Sequence, residues 1–567
     1  MRWLWLALLS PFWLPRWLLA RLRWRSSKRK TLLLVLRGSL PDVANPRTLM
    51  NWFRPSPGPE LLPLLEGLAA AARDERLHTV LVRIEELACG LGRAEELRSA
   101  LDRLRAAGKR VLVHADELSL SSYWIALGAS SIHLSPTGSL DVAGVAMQFT
   151  LLRGLLERVG VRAQLLAQGK YKSMREMFTE EHLSEANREM LSSLVGDLSE
   201  QLTQRVSSAR RLELSVARER IHSGPLHAAD ARQRGLIDGQ QYWDELWEEL
   251  GGEKERVQSW PHYVRALRKR RWPRRHTHVG LLRISGNIRM GQDRPGPSGP
   301  RATGHRSLAR ALRRLVRSSR TDAIVVRIDS PGGSALASDL MWRELSRAAS
   351  KKPLFVSMVD VAASGGFYTA CVKGVPVWAS PTTFTGSIGV VGGKFEGSEL
   401  LSKLGVRRAA VTSGPHADFH SPTRPWLPEE LTKLEKDLEV LYRDFVSKMA
   451  EGRGISYEAL HAVAQGRVWT GQQAREVALI DHLGGLHEVG AAVRERLGLA
   501  EDASLRWSSV AAPSRFGGQR NAAEDVLGGL QAVFGAEPEW HRALELALDL
   551  QGERLWALAP LLPSPRR

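Results

Sequence analysis

Ala323-Ile324-Val325-Val326-Arg327-Ile328-Asp329-Ser330-Pro331-Gly332-Gly333-Ser334 decides the fold class of this chain. An apolar run rich in β-branched residues ends on Ser-Pro-Gly-Gly, which reads as a buried strand closing on a turn that opens a helix. The two glycines leave backbone N–H groups unobstructed at a helix amino end, an arrangement that can hold an oxyanion. About thirty residues on, Val361-Ala362-Ala363-Ser364-Gly365-Gly366-Phe367-Tyr368 places a serine between a strand and a helix-like stretch. Read alone, Ser364 is a helix N-cap. Paired with the preceding glycine turn it reads as a nucleophile, with Gly365 offering a further N–H and with Gly332 and Gly366 supporting the two turns.

Outward from this stretch the sequence repeats itself at an offset near 245. Ser135-Pro136-Thr137 returns as Ser380-Pro381-Thr382, Gly160-Val161-Arg162 as Gly405-Val406-Arg407, and Tyr123 as Tyr368. With a slip of one residue, Val82-Arg83-Ile84-Glu85 matches Val326-Arg327-Ile328-Asp329. An ordered series of matches means duplication. Each half predicts a strand (Leu32–Leu36; Val279–Ile284), a helix (about 59–75; about 307–318), and a buried strand (Thr79–Ile84; Ala323–Ile328). Another helix and another strand follow (Arg110–His114; Leu354–Met358). Strands alternating with helices predict an α/β fold with parallel sheets and flanking helices.

A serine nucleophile needs a base. No histidine stands in an obvious motif with Ser364. In the first half, Gly169-Lys170-Tyr171-Lys172-Ser173 follows the Gly-Val-Arg strand. A buried lysine can lose its proton near neutral pH, because desolvation disfavours the ammonium. Lys170 and Lys172 share a face if the segment is extended, so spacing does not choose between them. Comparison of the halves is more decisive. The counterpart of Ser364 is Ser119, without glycines after it, and the counterpart of Pro331-Gly332-Gly333 is Leu87-Ala88-Cys89. The counterpart of Lys172 is Ala417. Each half keeps what the other lacks, which predicts one complete site per chain.

The 567 residues are 43% apolar and 25% charged, the profile of a folded protein long enough for several cores. Two cysteines, Cys89 and Cys371, exclude a disulfide framework, and neither CxxC nor HExxH occurs. The net charge of +19 is local: residues 1–30 carry +8 and residues 265–275 carry +7. Basic runs placed like this point to anionic lipid rather than nucleic acid. Residues 3–15 are apolar but for Ser10, Pro11 and the closing Pro15, and five tryptophans stand from Trp3 to Trp24. This segment reads as an uncleaved anchor, spanning or interfacial. Residues 291–304, rich in Gly and Pro, read as a mobile loop, and Trp540–Pro560 reads as an extra helix.

At Asp329–Ser334, Ala363–Tyr368, Thr385–Val390, Gly169–Ser173 and Arg467–Ala474 the chain resembles the signal peptide peptidase A (protease IV) family in its long, duplicated form, over about 31–495. The resemblance implies two tandem Clp protease/crotonase-like repeats. It implies a membrane-associated serine endopeptidase that degrades cleaved signal peptides and similar apolar peptides without metal or cofactor. It assigns Ser364 as nucleophile, Lys172 as general base, and the N–H groups of Gly333 and Gly365 as the oxyanion hole. Implied partners are peptide substrates, cytoplasmic-membrane lipids and further copies of the chain as a tetramer, with no nucleic acid. The implied location is the bacterial inner membrane with the catalytic part on the periplasmic side, although the charge after the anchor would by itself keep the body in the cytoplasm. The corresponding division is an anchor over 1–30, a lysine-bearing repeat over 31–254, a basic linker over 255–277, a serine-bearing repeat over 278–497 and an extension over 498–567. The alternatives are a crotonase-like acyl-CoA enzyme, which leaves Ser364 and Lys172 unexplained, and a catalytically inactive membrane scaffold.

Overall fold

The computed structural model describes residues 30–43, 59–251, 257–270, 277–295, 300–509 and 555–558. Apart from Lys30, the expected anchor lies outside the described residues. No helix among the described residues is long and apolar enough to cross a membrane.

The chain forms two compact units. The first takes the described residues up to Val145 together with Ser199–Thr277. Its sheet sets Thr31–Ser39, Thr79–Ala88, Arg110–Ser119 and Ser131–Asp141 side by side in parallel, with the register shifting between Arg37 and Gly38 and between Ala115 and Glu117. Parallel strands need crossover connections, and helices Leu61–Ala72 and Leu91–Ala106 supply them. The first has Leu61, Leu64, Leu65 and Leu68 buried, the spacing of one helical face.

The second unit takes Ala146–Leu198 and the described residues from His278 onward. One of its sheets repeats the parallel order: Thr277–Ser285, Ala323–Ser330 and Leu354–Ala363 lie adjacent. Ala323–Ile328 is wholly buried, as expected of a strand covered on both faces. Helix His305–Arg317 buries Leu308, Ala311, Leu312 and Leu315 against this core. Truncating one such leucine to alanine costs about 2–5 kcal/mol. The segment 146–198 belongs here because its strand Arg162–Gln168 pairs antiparallel with Val390–Glu396 over seven residues. The sequence that carries Lys172 thus lies in the same unit as the sequence that carries Ser364.

Two expectations are corrected. The Gly- and Pro-rich stretch 291–304 is not simply a loop: Arg294–Pro295 and Pro300–Gly304 pair antiparallel, and the latter also runs parallel to Asn287–Arg289. The sheet edge at Asn287–Arg289 offers hydrogen bonds that outweigh the local turn composition. The carboxyl-terminal stretch expected to be helical contains a strand, Leu555–Leu558, which lies between Gly332–Ser334 and Val390–Glu396 and pairs antiparallel with both. Two open backbone edges override helix propensity there.

Candidate active site

The parallel strands Ala323–Ser330 and Leu354–Ala363 end side by side, with Ser330 opposite Ala362. The chain after each carries one part of the site. Beyond Ser330 the backbone turns through Gly332 (φ +108°) and Gly333 (φ +150°) into a three-residue strand. A Cβ at Gly333 would lie 2.0 Å from the Ile288 carbonyl oxygen, so no side chain fits. The Ser330 hydroxyl donates to the Gly286 carbonyl and accepts from the Gly332 N–H, which fixes the turn.

Beyond Ala363, Ser364 has φ 53° and ψ −115°, outside the ordinary regions for a residue with a side chain. Its N–H donates to the Gly386 carbonyl at 2.7 Å, and its carbonyl accepts from Tyr368 at 2.8 Å. Gly365 and Gly366 open the helix Gly365–Ala370, and Gly366 sits against the Ser330 carbonyl. Ser364 is therefore not a cap: its side chain makes no capping bond. Its counterpart Ser119 does behave as one, with φ −71° and a hydroxyl that accepts from the Ser122 N–H. Two serines at matching positions of a duplication thus have different backbones and different partners.

The Ser364 hydroxyl faces Lys172. Lys172 Nζ lies 2.7 Å from Ser364 Oγ, 2.9 Å from the Ser387 carbonyl oxygen and 3.1 Å from Ser387 Oγ. Lys172 is 2% exposed and Ser364 is fully buried. Burial pushes the lysine well below its ordinary pKa, because the neutral amine loses less on leaving water. A neutral amine has two N–H donors and one lone pair. With both donors on the two oxygens of Ser387, the lone pair is free to accept the Ser364 O–H. Lys170, by contrast, is exposed and lies over the Tyr171 ring. The geometry separates the two lysines that spacing left equivalent.

The seat of Lys172 is built from residues distant in sequence. The Tyr171 N–H donates to the Gln465 carbonyl, and the Gly466 N–H donates to the Ile388 carbonyl, each at 2.7 Å. Gly466 has φ +81°, and a Cβ there would meet the Lys172 backbone nitrogen at 2.4 Å. Arg467 stacks over Tyr171 and pairs with Glu189, while its carbonyl accepts the Ser387 N–H. Sequence reasoning assigned no role to Ser387, Gln465 or Gly466. The available signal was their position inside, or just before, the stretches Thr385–Val390 and Arg467–Ala474.

Ser364, Lys172, Gly332, Gly333, Gly365 and Gly366 all fall within the second unit. The arrangement offers a hydroxyl, a desolvated amine to take its proton and glycine turns beside it. Those are the components of acyl transfer.

Comparison with known proteins agrees with that chemistry. The profile of peptidase family S49 matches twice, over residues 103–256 and 346–500, as a duplicated chain should. A chloroplastic serine protease SPPA of Arabidopsis thaliana is 32% identical over 540 residues, 93% of this chain and 76% of that protein. Protease 4 of Salmonella typhi is 30% identical over 410 residues, 70% of this chain and 65% of that protein. Among solved structures, a ClpP1 variant of Listeria monocytogenes overlaps 37% of this chain and 92% of its own, at 15% identity and a TM-score of 0.24.

Proposed function

The chain belongs to peptidase family S49 and is a serine peptidase, and from that premise we propose that Ser364 is its nucleophile and Lys172 its general base. The 2.7 Å approach of Lys172 Nζ to Ser364 Oγ carries this reading. The amine takes the hydroxyl proton as Oγ attacks the scissile carbonyl, and the ammonium returns that proton to the departing amine. Water then attacks the acyl-enzyme, with the same amine as base. The N–H groups of Gly333 and Gly365 receive the oxyanion, and their value lies in being fixed before charge develops. The acyl-CoA alternative loses ground, because such chemistry needs no serine hydroxyl held against a desolvated amine.

The substrates are extended, apolar peptides of the kind released from signal sequences. Support comes from Leu336 and Leu340, one turn apart on the helix that follows Gly332–Ser334, which are exposed although large and apolar. The protein acts at the bacterial cytoplasmic membrane through residues 1–30, with its catalytic part on the outer side, and as a homo-oligomer. The tryptophans and basic residues of that segment favour an interface with anionic lipid.

The test is cleavage of a fluorogenic apolar peptide by the full chain and by its Ser364→Ala form. Turnover should be lost with the hydroxyl while thermal unfolding stays near that of the parent. Undiminished turnover in the variant would remove Ser364 from the mechanism.

A further inference from the structure

Helix His305–Arg317 has two unlike faces. Leu308, Ala311, Leu312 and Leu315 are buried, while Arg306, Arg310, Arg313, Arg314 and Arg317 are exposed on the opposite side. Arg320, also exposed, follows just past its end. On the helix packed against it, Ala335–Ala349, the exposed Arg343 and Arg347 stand four residues apart, and Lys351 follows just past that end. Arg313 pairs with Glu344 of the second helix at 2.6 Å, which ties the two basic rows together. Nine cations thus share this surface with Glu344, which also lies 3.5 Å from Arg347. The other carboxylate of the second helix, Asp339, is engaged by Tyr368 and Lys448.

The fold does not require these charges. The matching helices of the first unit are Leu61–Ala72 and Leu91–Ala106, and they bury an equivalent face. The former carries one charged residue, Glu66, and the latter sets Arg93, Arg98, Arg103 and Arg105 against Glu95, Glu96 and Asp102. Nor does the helix gain from them. Like charges four residues apart destabilise a helix, and Arg306, Arg310 and Arg314 are so spaced, as are Arg313 and Arg317. Arg306 in the first turn also opposes the helix dipole. The outer face is therefore suited to a polyanion outside the chain.

We propose that this face of the second unit lies on anionic phospholipid. The choice of lipid rests on the reading above that the protein works at the outer side of the cytoplasmic membrane, where the polyanion within reach is the leaflet itself. A body tethered through residues 1–30 meets that leaflet at high effective concentration. Each Lys or Arg brought near an anionic surface strengthens attachment about fivefold. The consequence is a site held close to the bilayer. Arg343 stands nine residues beyond Ser334 on one helix, a rise of about 14 Å. The exposed Leu336 and Leu340 occupy the stretch between. Apolar peptides leaving the membrane then arrive beside the glycine turn.

The probe is the full chain on vesicles of phosphatidylcholine, alone or with about one third phosphatidylglycerol. A donor dye on Ser319→Cys, in a Cys89→Ser background, reports by energy transfer its approach to acceptor-labelled headgroups. Three forms are compared: the parent, one with Arg306, Arg310, Arg314 and Arg317 all changed to Gln, and one with the same four changed to Lys. In the parent and the Lys form, transfer should be at least about twofold higher on the anionic vesicles. In about 1 M salt it should fall to the neutral-vesicle level. The Gln form should show no such difference, while unfolding at no lower temperature and cleaving peptide in detergent like the parent. Equal transfer on both vesicles in the parent, a Gln form that keeps the difference, or a parent that binds neither vesicle overturns the proposal. A Lys form that behaves like the Gln form also overturns it, since lipid attraction reads charge rather than guanidinium shape. So does a labelled DNA duplex that binds the parent and not the Gln form while transfer ignores lipid charge; the face then belongs to nucleic acid. Failure of the anchor reading looks different: the parent leaves neutral vesicles unbound, yet still binds anionic ones through these arginines.

Discussion

The Nζ of Lys172 stands 2.7 Å from the Oγ of Ser364, across 192 residues of sequence, with neither group open to solvent. The two come from opposite copies of a duplication and meet because 146–198 is part of the second compact unit. On the proposed assignment, duplication lets one copy keep the base and the other keep the nucleophile and its glycine turns. The matching positions in the other copies have different surroundings: Ala417 is exposed, and Ser119 caps a helix.

Burial of Lys172 gives a pH dependence of definite sign. Its folded pKa is depressed, so the neutral base persists well below the pH at which a free lysine would be protonated. Peptidase kcat/KM should rise with pH along a limb whose midpoint lies well below the free-lysine value of about 10.4. Stability responds in the same sense. Between the folded pKa and the unfolded value, the unfolded chain binds the extra proton, so stability rises with pH and is lost as pH falls toward the folded pKa. Lys172→Met lacks this slope. Denaturation midpoints should show the Met variant gaining on the parent at pH 7 and the difference shrinking by pH 10. A difference independent of pH would mean that Lys172 is protonated in the folded protein.

Strain at Ser364 is separately measurable. Ser364 has φ 53° and ψ −115°, and conformations of this kind cost a residue with a Cβ on the order of 1–3 kcal/mol. Ser364→Ala and Ser364→Gly should both be inactive. The glycine form should be the more stable by about 1 kcal/mol, less than the full strain because glycine also loosens the unfolded chain. Equal denaturation midpoints for the two would show that the backbone at 364 stores no strain.

The hydroxyl and carbonyl of Ser387 hold the lysine amine, which on the proposed mechanism makes Ser387 a positioning residue. Ser387→Ala should lower kcat by roughly tenfold or more with little change in KM, since a misplaced base slows proton transfer. It should also move the limb of the pH profile further down, because a lost oxygen acceptor disfavours the ammonium. A purely structural role would change neither the limb nor the kcat-to-KM split.

The strands and turns that lie close together in sequence were legible. The apolar runs Ala323–Ile328 and Leu354–Met358 predict strands and form the cores of Ala323–Ser330 and Leu354–Ala363. Their apolar runs and following glycines are local signals. What was not legible depends on partners far along the chain. Gly160-Val161-Arg162 leads into a paired strand because Val390–Glu396 lies beside it. The matching Gly405-Val406-Arg407 is exposed and forms no strand. The same tripeptide thus has two fates, decided by the presence of an edge to pair with. Gly466 looks like any loop glycine until the Lys172 backbone is placed against it. Leu555–Leu558 has a composition that suits a helix, and only the two open edges beside Gly333 and Val391 make it a strand.

The most direct measurement is the rate at which a fluorophosphonate acylates the protein, with the adduct located by peptide mass spectrometry. The parent and Lys170→Met should both be labelled on Ser364 at similar rates. Lys172→Met should be slower by roughly 10²–10⁴, the usual worth of a positioned base. An adduct on another serine, a Lys172→Met protein labelled at the parent rate, or an equal loss in Lys170→Met would contradict a Ser364–Lys172 pair.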